Sequence, residues 1–552
     1  MRFALLFILL VQVSFGATYY VDYDAGSDSN NGTSTGTAFK RAPGDDNATG
    51  TADATTLAAG DIVKLKGGVT YYGEIDIDWA GAIGNPIIYD GNNAGDWGTG
   101  RAVVDGSYVA NASGFLVGAS ARGNITIKGF EIRNVAGDAD DATNVISAAA
   151  GTYTNTVSTG GFGVNFYSGS HTNIYLDNLY IHRIGGWRNG IGWAAATIGG
   201  AGIAIKSGSN VTVTNCEVTK CHTAIGFYAD LTQNNLLVTH CDLHDYIVWG
   251  VDVAPFGNNG VIRDVTIRNT SIRDYAQFTL GNWLGSDETP HTDGIFLRSA
   301  GYLNSTWSNI NVFNMNFYCD TPAASLGGTA SIFISEGASA TIYNCLFNQD
   351  IHSRAIGISY SNPGGWTNTV RIYNNTFIAA SAAIITDTEA DADQRHVYVQ
   401  NNIFRKPSGS ANNSPMLTAL SGVYADVINN NIYYDPDWTI LTKYVFVGTG
   451  GDYRYMAGFV SLGFEASGGV YDDPDFVSFG ATPSGRDLRL QATSPAINAG
   501  ADLSAYFTTD KDGNTRAGTW DIGAFEYVPS TTYRGYSFGS GVQLIGPGSV
   551  RQ

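Results

Sequence analysis

The architecture of this chain can be predicted from one short segment, Val211-Thr212-Val213-Thr214-Asn215, which is followed three residues later by Val218. Apolar and polar residues alternate along it, and side chains two residues apart point to the same face of a β-strand. One face of such a strand is buried and the other is exposed. The asparagine that ends the alternation is a residue typical of turns.

The same pattern recurs through the middle of the chain. Most copies are separated by about 25–30 residues, a spacing typical of a solenoid of stacked coils rather than of separate domains. Two steps are longer: 37 residues from Asn178 to Asn215 and 45 residues from Asn269 to Asn314. The residues that close the alternating runs, called the marker residues below, are Asn178, Asn215, His240, Asn269, Asn314, Asn344, Asn374, Asn401 and Asn429.

The repeated asparagine suggests an interaction between neighbouring coils. We predict that the marker residues point inward and form a ladder, in which each amide bonds to the amides above and below. Each hydrogen bond would contribute about 1 kcal/mol net, and an unpaired buried amide would cost more. The alternative is that they are ordinary turn asparagines, but nine copies in one register favour the ladder.

A second alternating strand follows each marker residue by about ten positions. It begins with a small residue, as in the segments Gly250–Ala254 and Gly294–Arg298. The second and fourth residues of each copy point inward, so the third and fifth build one outer face when the copies stack. That face is predicted to carry Asn165, Tyr167, Lys206, Tyr228, Asp252, Phe296, Arg298 and Phe333, with His291, Asp293 and Glu336 at its margins.

The two long steps contain insertions that enter just before this second strand. They carry Trp187, Trp193 and Trp283. Tryptophan stacks well on sugar rings, and loops on rigid scaffolds often carry function. We therefore predict that these three residues, with Tyr167 and Tyr228, bind substrate. The alternative is that the tryptophans seal the edge of a coil.

The termini and the charge limit the possible functions. Residues 1–16 have a positive charge, a short apolar run and small residues before Ala17, as in a secretory signal peptide, so we expect an extracellular or periplasmic protein. No other apolar run approaches the ~20 residues that span a membrane. The net charge of −19 argues against a nucleic-acid partner. We expect a monomer, and the odd count of five cysteines does not suggest a disulfide framework.

The sequence resembles secreted right-handed parallel β-helix proteins of the pectate-lyase-like class, which include polysaccharide lyases and glycoside hydrolases. The segments 19–33, 494–500 and 521–527 also resemble the first and last coils of such proteins. The resemblance implies an all-β, single-stranded right-handed parallel β-helix with an asparagine ladder and a polysaccharide substrate. The expected divisions are an N-terminal cap with the first coils (17–120), the central β-helix with its groove (121–440), C-terminal coils and cap (441–528) and a flexible tail (529–552).

Two reactions fit the residues of the outer face. In β-elimination on a uronate, a base removes the proton next to the carboxylate while a cation neutralises that carboxylate. Asp252 with Asp293 could hold Ca²⁺, which prefers oxygen ligands. The candidates for the base are Lys206, His291, Arg298 and Tyr228.

In glycoside hydrolysis, two carboxylates flank the bond that is cleaved. The candidates are Asp252, Asp293 and Glu336. The segment Thr292-Asp293-Gly294 resembles part of the catalytic strand of β-helical polygalacturonases. The adjacent aspartates that this family carries in the next coil are replaced here by Thr329-Ala330-Ser331. Alternatively, Asp293 only caps a turn.

The basic residues Lys206 and Arg298, on an otherwise acidic chain, favour a polysaccharide lyase. A glycoside hydrolase and a non-catalytic carbohydrate-binding or adhesin solenoid are the alternatives.

Overall fold

The computed structural model describes most of the chain between Gly16 and Pro529. The described residues are 16–107, 113–118, 121–135, 161–166, 169–184, 200–206, 208–229, 232–246, 248–255, 260–274, 292–299, 305–320, 328–335, 337–349, 354–359, 368–379, 382–386, 395–408, 416–419, 425–437, 446–448, 451–453, 463–466 and 468–529.

Three long sheets of 13 strands each run side by side along the molecule. One coil of the chain passes through sheet 1, then sheet 2, then sheet 3, as His171–Asp177, Tyr180–Ile184 and Ala201–Lys206 do. The next coil begins at Gly208–Thr214, which pairs in parallel with His171–Asp177. The predicted stack of coils with parallel strands is confirmed.

The strands of sheet 1 are Thr18–Val21, Ile62–Leu65, Ile87–Asp90, Gly123–Lys128, His171–Asp177, Gly208–Thr214, Thr232–Thr239, Val261–Arg268, Thr306–Phe313, Ala340–Tyr343, Asn368–Tyr373, Arg395–Gln400 and Ala425–Asn429. The strands of sheet 2 are Thr70–Tyr72, Ala102–Asp105, Phe130–Val135, Tyr180–Ile184, Glu217–Cys221, Asp242–His244, Ser271–Arg273, Asn316–Tyr318, Leu346–Gln349, Thr376–Ala379, Ile403–Arg405, Ile432–Tyr434 and Val470–Tyr471. The strands of sheet 3 are Ile75–Ile77, Ser113–Val117, Phe162–Phe166, Ala201–Lys206, Thr223–Ala229, Trp249–Pro255, Thr292–Leu297, Gly328–Ser335, Arg354–Ser359, Ala382–Thr386, Leu417–Ala419, Phe446–Gly448 and Gly451–Tyr453.

The other regular elements are short. Gly50–Ala54 is an α-helix, and Thr35–Thr37 and Pro483–Gly485 are 3-10 turns. Phe476–Ser478 and Asp487–Leu490 form a separate antiparallel hairpin. No helix among the described residues is long and apolar enough to cross a membrane.

The core lies between the three sheets and is built from the inward residues of each strand. In sheet 2, aromatic rings of consecutive coils stack with centroids 4.6 to 5.3 Å apart, which buries large apolar surfaces against each other. These rings are Phe317, Phe347, Phe377, Phe404 and Tyr433. All five cysteines are buried and free.

The marker residues occupy the corner between sheets 1 and 2, and they do not point inward as predicted. Two pairs nevertheless form the predicted bond between amides: Asn314 Nδ2 donates to Asn269 Oδ1 (3.2 Å), and Asn401 Nδ2 donates to Asn374 Oδ1 (3.1 Å). Asn178 to Asn401 adopt φ angles between 48° and 57°, the left-handed conformation that asparagine tolerates better than most residues. Asn215 and His240 are exposed. In the last coil the left-handed residue is Asn430, so the assignment of Asn429 was wrong by one position.

A buried asparagine ladder does exist, one residue further along, in the C-terminal coils. Asn375 donates from Nδ2 to Oδ1 of Asn402 (3.1 Å), and Asn402 donates in the same way to Asn431 (3.1 Å). Asn431 donates to Glu465 Oε1 (2.7 Å), which also accepts from the Tyr433 hydroxyl (2.8 Å). The ladder therefore ends on a buried carboxylate. The earlier coils place other buried side chains at this position: Leu179, Cys216, Cys241, Thr270, Met315 and Cys345.

A second asparagine ladder lies at the start of the sheet 1 strands, nearer the surface. Asn235 donates to Asn210 (2.8 Å), Asn210 to Asn173 (3.0 Å) and Asn173 to Asn124 (2.9 Å). Each of these residues also has a positive φ of 55° to 58°. This ladder was not predicted from the sequence.

The C-terminal residues 468–529 run along the outside of the coils and cover the marker residues of the C-terminal half. Nδ2 of Asn344 donates to Thr509 O (2.8 Å), and Nδ2 of Asn374 donates to Asp521 O (2.9 Å). The Lys511 ammonium, buried among these elements, donates to Asn314 O (2.8 Å) and Met315 O (3.0 Å). We call residues 468–529 the C-terminal strap.

Candidate functional site

Lys206, Tyr228 and Arg298 form one outward stripe on sheet 3. Strand pairing puts Lys206 next to Tyr228 and Tyr228 next to Ala254. The Arg298 N–H donates to Val253 O (3.1 Å), which places Arg298 beside Ala254 in the following coil. Coils rise by ~4.8 Å, so Lys206 and Arg298 lie three steps, or ~14 Å, apart along the axis. The register thus aligns these three residues of the predicted outer face, and we call this line the basic stripe.

A second outward column lies beside the basic stripe. It contains the residue two positions earlier in each strand, and the pairings align Gly226 with Asp252 and Asp252 with Phe296. Phe296 in turn pairs with Phe333. The column therefore places one carboxylate, that of Asp252, between a glycine and two aromatic rings.

Asp252 and Arg298 form a two-bond ion pair across adjacent coils. Arg298 Nε donates to Asp252 Oδ1 (3.0 Å) and Nη2 donates to Oδ2 (2.8 Å). The Asp252 side chain is fully buried, whereas 25% of the Arg298 side chain is exposed. Paired, charge-assisted hydrogen bonds of this type are strong and fix the orientation of the guanidinium. The sequence predicted that these two residues are neighbours but not that they bond.

The Asp252 carboxylate also lies close enough to the Tyr228 hydroxyl for its charge to act on that group. Burial, and then the negative charge of Asp252, raise the pKa of Tyr228 well above its usual value, although Arg298 acts in the opposite direction. Tyr228 is therefore a neutral phenol at any pH near neutrality. One carboxylate thus acts on both the phenol and the guanidinium.

Aromatic rings lie against part of the Arg298 guanidinium, and a quarter of the side chain stays exposed. Its Cζ lies 4.6 Å from the Trp249 ring centroid and 5.2 Å from that of Phe296. The Trp249 and Phe296 centroids are 5.7 Å apart. Cation–π contacts of this type contribute about 1 kcal/mol or more when water is excluded. The positive charge is held in place before any ligand arrives.

The outward position of Trp249 has a local cause in the glycine that follows it. A Cβ on Gly250 would lie 3.2 Å from Ile272 Cγ2 and 2.5 Å from Gly294 O, so this position faces the core and admits no side chain. Val251, the next residue, is also buried inside. The strict alternation is thus broken at the glycine, and the residue before it reaches the outer face.

Asp293 occupies the position of Trp249 in the next coil, and the two residues pair across the adjacent strands. Its side chain is fully buried, and Oδ1 accepts a hydrogen bond from the Ala330 N–H (3.0 Å). The strand register shifts at this point, between Thr292 and Asp293. Asp293 therefore bonds to the backbone of the adjacent coil.

A match to a known family model covers part of the chain and ends before Asp293, Phe296 and Arg298. Residues 113–282 match the family model of the right-handed β-helix region. The fold is a right-handed parallel β-helix. No curated protein sequence matches the chain significantly.

Solved structures with a similar course of the chain include several β-helix enzymes. Pectate lyase Pel9A shares 16% identity over 93% of this chain and 97% of its own, with a TM-score of 0.44. A rhamnogalacturonan lyase shares 15% identity over 92% and 96%, with a TM-score of 0.40. The GH136 lacto-N-biosidase from Eubacterium ramulus shares 13% identity over 78% and 65%, with a TM-score of 0.41. Similarity at this level does not bear on the reaction of this chain.

Six of the predicted site residues lie outside the described part of the β-helix. They are His291, Glu336, Tyr167, Trp187, Trp193 and Trp283. The two tryptophan-bearing insertions do join sheet 2 to sheet 3, between Ile184 and Ala201 and between Arg273 and Thr292, as predicted. Their roles in binding remain predictions.

The prediction that Asp252 and Asp293 hold Ca²⁺ can be compared with the bonds of these residues. Both carboxylate oxygens of Asp252 accept from Arg298, and Asp293 Oδ1 accepts from a backbone N–H. A cation at Asp252 would therefore have to displace the guanidinium. Among the described residues of the β-helix, no group of three or more His, Cys, Asp or Glu side chains could hold a metal ion. Ca²⁺ stays a prediction.

Sequence reasoning missed two residues beside the basic stripe. Trp249 was overlooked because alternation counted back from Asp252 assigns it to the core. His222 lies next to it, with the ring centroids 6.1 Å apart and Nδ1 3.2 Å from Thr223 Oγ1. Burial lowers the pKa of His222 to about 4, so its imidazole is neutral. No pattern in the sequence distinguishes this histidine.

Proposed function

We propose that this protein is a secreted polysaccharide lyase that cleaves a uronate-containing glycan by β-elimination. The observation that carries the proposal is the basic stripe, on which Lys206, Tyr228 and Arg298 face the same side of sheet 3. Arg298 offers a fixed positive charge to the substrate carboxylate. Lys206 would act as the base that takes the proton next to that carboxylate.

The burial and the bonds of the two carboxylates on sheet 3 also support elimination rather than hydrolysis beside the basic stripe. A hydrolase needs one carboxylic acid and one carboxylate beside the scissile bond. Asp252 is buried and doubly bonded to Arg298, while Asp293 is buried against the backbone. Neither is exposed to a sugar, whereas Lys206, Tyr228 and Arg298 are partly exposed.

A screen of uronate polymers tests the proposal through the ultraviolet absorbance of the unsaturated product. Lys206→Ala should lower kcat by about 10²- to 10⁴-fold, the usual effect of removing a general base. Lys220→Ala, at a partly exposed lysine outside sheet 3, is the matched control and should retain full activity. New reducing ends without that absorbance would contradict elimination, and tight glycan binding without any cleavage would support the adhesin alternative.

A second candidate function, hydrolysis, is favoured by a carboxyl cluster at the N-terminal end of sheet 3. Burial, and then the charges of Asp78, Glu74 and Asp46, raise the pKa of Asp76 to about 6. A carboxylic acid with this pKa beside ionised carboxylates is an arrangement that acid–base hydrolysis uses. If hydrolysis is the reaction, Asp76→Asn should abolish the release of reducing ends, and Lys206→Ala should not.

A further inference from the structure

The Tyr228 ring lies folded back along its own strand, over the backbone of Gly226. A Cβ at Gly226 would lie 2.7 Å from Tyr228 Cε2, 2.7 Å from its hydroxyl oxygen and 2.8 Å from Cζ. Real Cβ atoms essentially never approach other heavy atoms below 3.0 Å. The backbone of Gly226 has no positive φ, so the close approach of the ring is the reason that a glycine is needed here.

The folded ring directs the hydroxyl toward the neighbouring coil. Gly226 pairs with Asp252, so a hydroxyl above Gly226 lies beside the coil that carries that carboxylate. A ring that pointed straight out from position 228 would instead lie beside Lys206 and Ala254, its partners in the basic stripe. Because Gly226 has no side chain, the Tyr228 hydroxyl lies beside Asp252 rather than beside Lys206 and Ala254.

We propose that Gly226 is a positioning residue for Tyr228 and that the Tyr228 hydroxyl protonates the oxygen that leaves in the elimination. This inference rests on the proposed lyase function. It assigns to Tyr228 the role of acid, not that of base, and leaves Lys206 as the base.

The proton transfers balance without a co-reactant. Lys206 takes the proton from the carbon next to the uronate carboxylate, and the electrons of that C–H bond form a carbon–carbon double bond. The bond from the neighbouring carbon to the glycosidic oxygen breaks, its electrons stay on that oxygen, and the oxygen takes the Tyr228 proton. The tyrosinate faces Arg298, whose charge opposes the repulsion from Asp252. Tyr228 then regains a proton from water, and Lys206 releases one.

A double-mutant cycle of Gly226→Ala and Tyr228→Phe tests the proposal. Tyr228→Phe should lower kcat by about 10²-fold or more, as expected for the loss of a general acid. Gly226→Ala should lower kcat by about 10-fold or more with little change in KM, because the displaced ring moves the phenol. In the Tyr228→Phe background, Gly226→Ala should have almost no further effect. Additive losses would overturn the positioning role, and so would full activity of Gly226→Ala.

Gly357→Ala is the matched control because Gly357 lies in the same outward column. A Cβ there would lie 2.6 Å from Phe333 Cδ2, so the substitution displaces an aromatic ring without touching Tyr228. It should leave kcat within about twofold of the wild type. An equal loss in Gly357→Ala and Gly226→Ala would show that any crowding of sheet 3 inactivates the protein, and would overturn the specific role of Gly226.

A spectroscopic measurement separates this inference from the proposed function. Tyrosinate absorbance is titrated in the wild type, in Gly226→Ala and in Tyr228→Phe. One additional tyrosine should ionise with a nearly normal pKa in Gly226→Ala, and this increment should disappear when Tyr228→Phe is added. If the wild type is inactive but Gly226→Ala shows this increment, the lyase function is refuted and the positioning role of Gly226 is supported. If the wild type is active but Gly226→Ala shows no increment, only the positioning role of Gly226 is refuted.

Discussion

Replacing Asn402 by leucine should show how much the buried asparagine ladder stabilises the C-terminal coils. The side chain is fully buried and accepts from the N–H (2.9 Å) and Nδ2 (3.1 Å) of Asn375. It donates to Ile372 O (2.8 Å), Gln400 O (3.0 Å) and Asn431 Oδ1 (3.1 Å). Leucine has a similar size, so the change removes these bonds without leaving a large cavity.

The expected cost follows from the groups that lose their partners. The Asn375 N–H loses its acceptor in the core, which costs about 1–3 kcal/mol, and the lost amide bonds contribute about 1 kcal/mol each. Burial of the added apolar surface offsets about 1–2 kcal/mol of this loss. The net decrease in local stability is about 3–6 kcal/mol, equivalent to a roughly 100-fold or greater increase in the rate of hydrogen exchange.

Hydrogen–deuterium exchange of the strands Asn368–Tyr373 and Arg395–Gln400, with denaturant unfolding, measures this decrease. Asn235→Gly is the control, because the amide of Asn235 is exposed and glycine accepts its φ of 58°. It should cost less than about 1 kcal/mol. An Asn402→Leu variant within about 0.5 kcal/mol of the wild type, or a control that costs as much, would refute the reasoning.

Further changes test the charged groups. The bonds of His244 to Asp245 (2.7 Å) and Glu217 (3.3 Å) outweigh burial and raise its pKa to about 9. Its stabilisation is therefore complete below about pH 6.5 and is lost as the pH rises through about 9. Because both partners are partly exposed, we expect the wild type to lose about 1–2 kcal/mol more unfolding free energy than His244→Gln between pH 6 and 9.5. Arg298→Lys should lower kcat/KM at least about 10-fold, since an ammonium cannot form the two parallel bonds to Asp252. Unchanged kinetics would contradict a role for this two-bond ion pair. If Arg298 supplies the positive charge, chelation should leave activity intact, whereas restoration by added Ca²⁺ would support the metal prediction instead.

The course of the chain and the outer face could be predicted because both depend on local periodicity. The alternation around Asp252 and Arg298 assigned both residues to the outside, and their pairing register followed from the repeat. The bond between them could not be predicted, because it joins residues 46 positions apart through a long flexible side chain. Trp249 was missed for a different reason: a glycine without room for a Cβ shifts the alternation by one residue.

The ladders show where the sequence pattern is ambiguous. An asparagine at the end of a strand can either adopt the left-handed backbone conformation of the corner or point its amide into the core. The sequence pattern does not distinguish these two roles. In Asn374-Asn375 and Asn401-Asn402 the first residue forms the corner and the second forms the buried ladder. Asn215 is followed by Cys216, and there only the corner remains. The doubled asparagine is the signal that would have located the buried ladder.

The C-terminal strap has a consequence for the order in which the protein is made. The coils from Asn314 to Asn430 bond to strap residues that are synthesised up to 197 positions later, as the contact of Asn314 with Lys511 shows. The N-terminal coils can close as they emerge from the ribosome, because their partners are the coils that follow directly. The C-terminal half must wait for the acceptors of the Asn374 Nδ2 group, until Asp521 and Gly523 have been translated. A ribosome stalled before the strap would therefore carry a chain that is folded at its beginning and unfinished at its end.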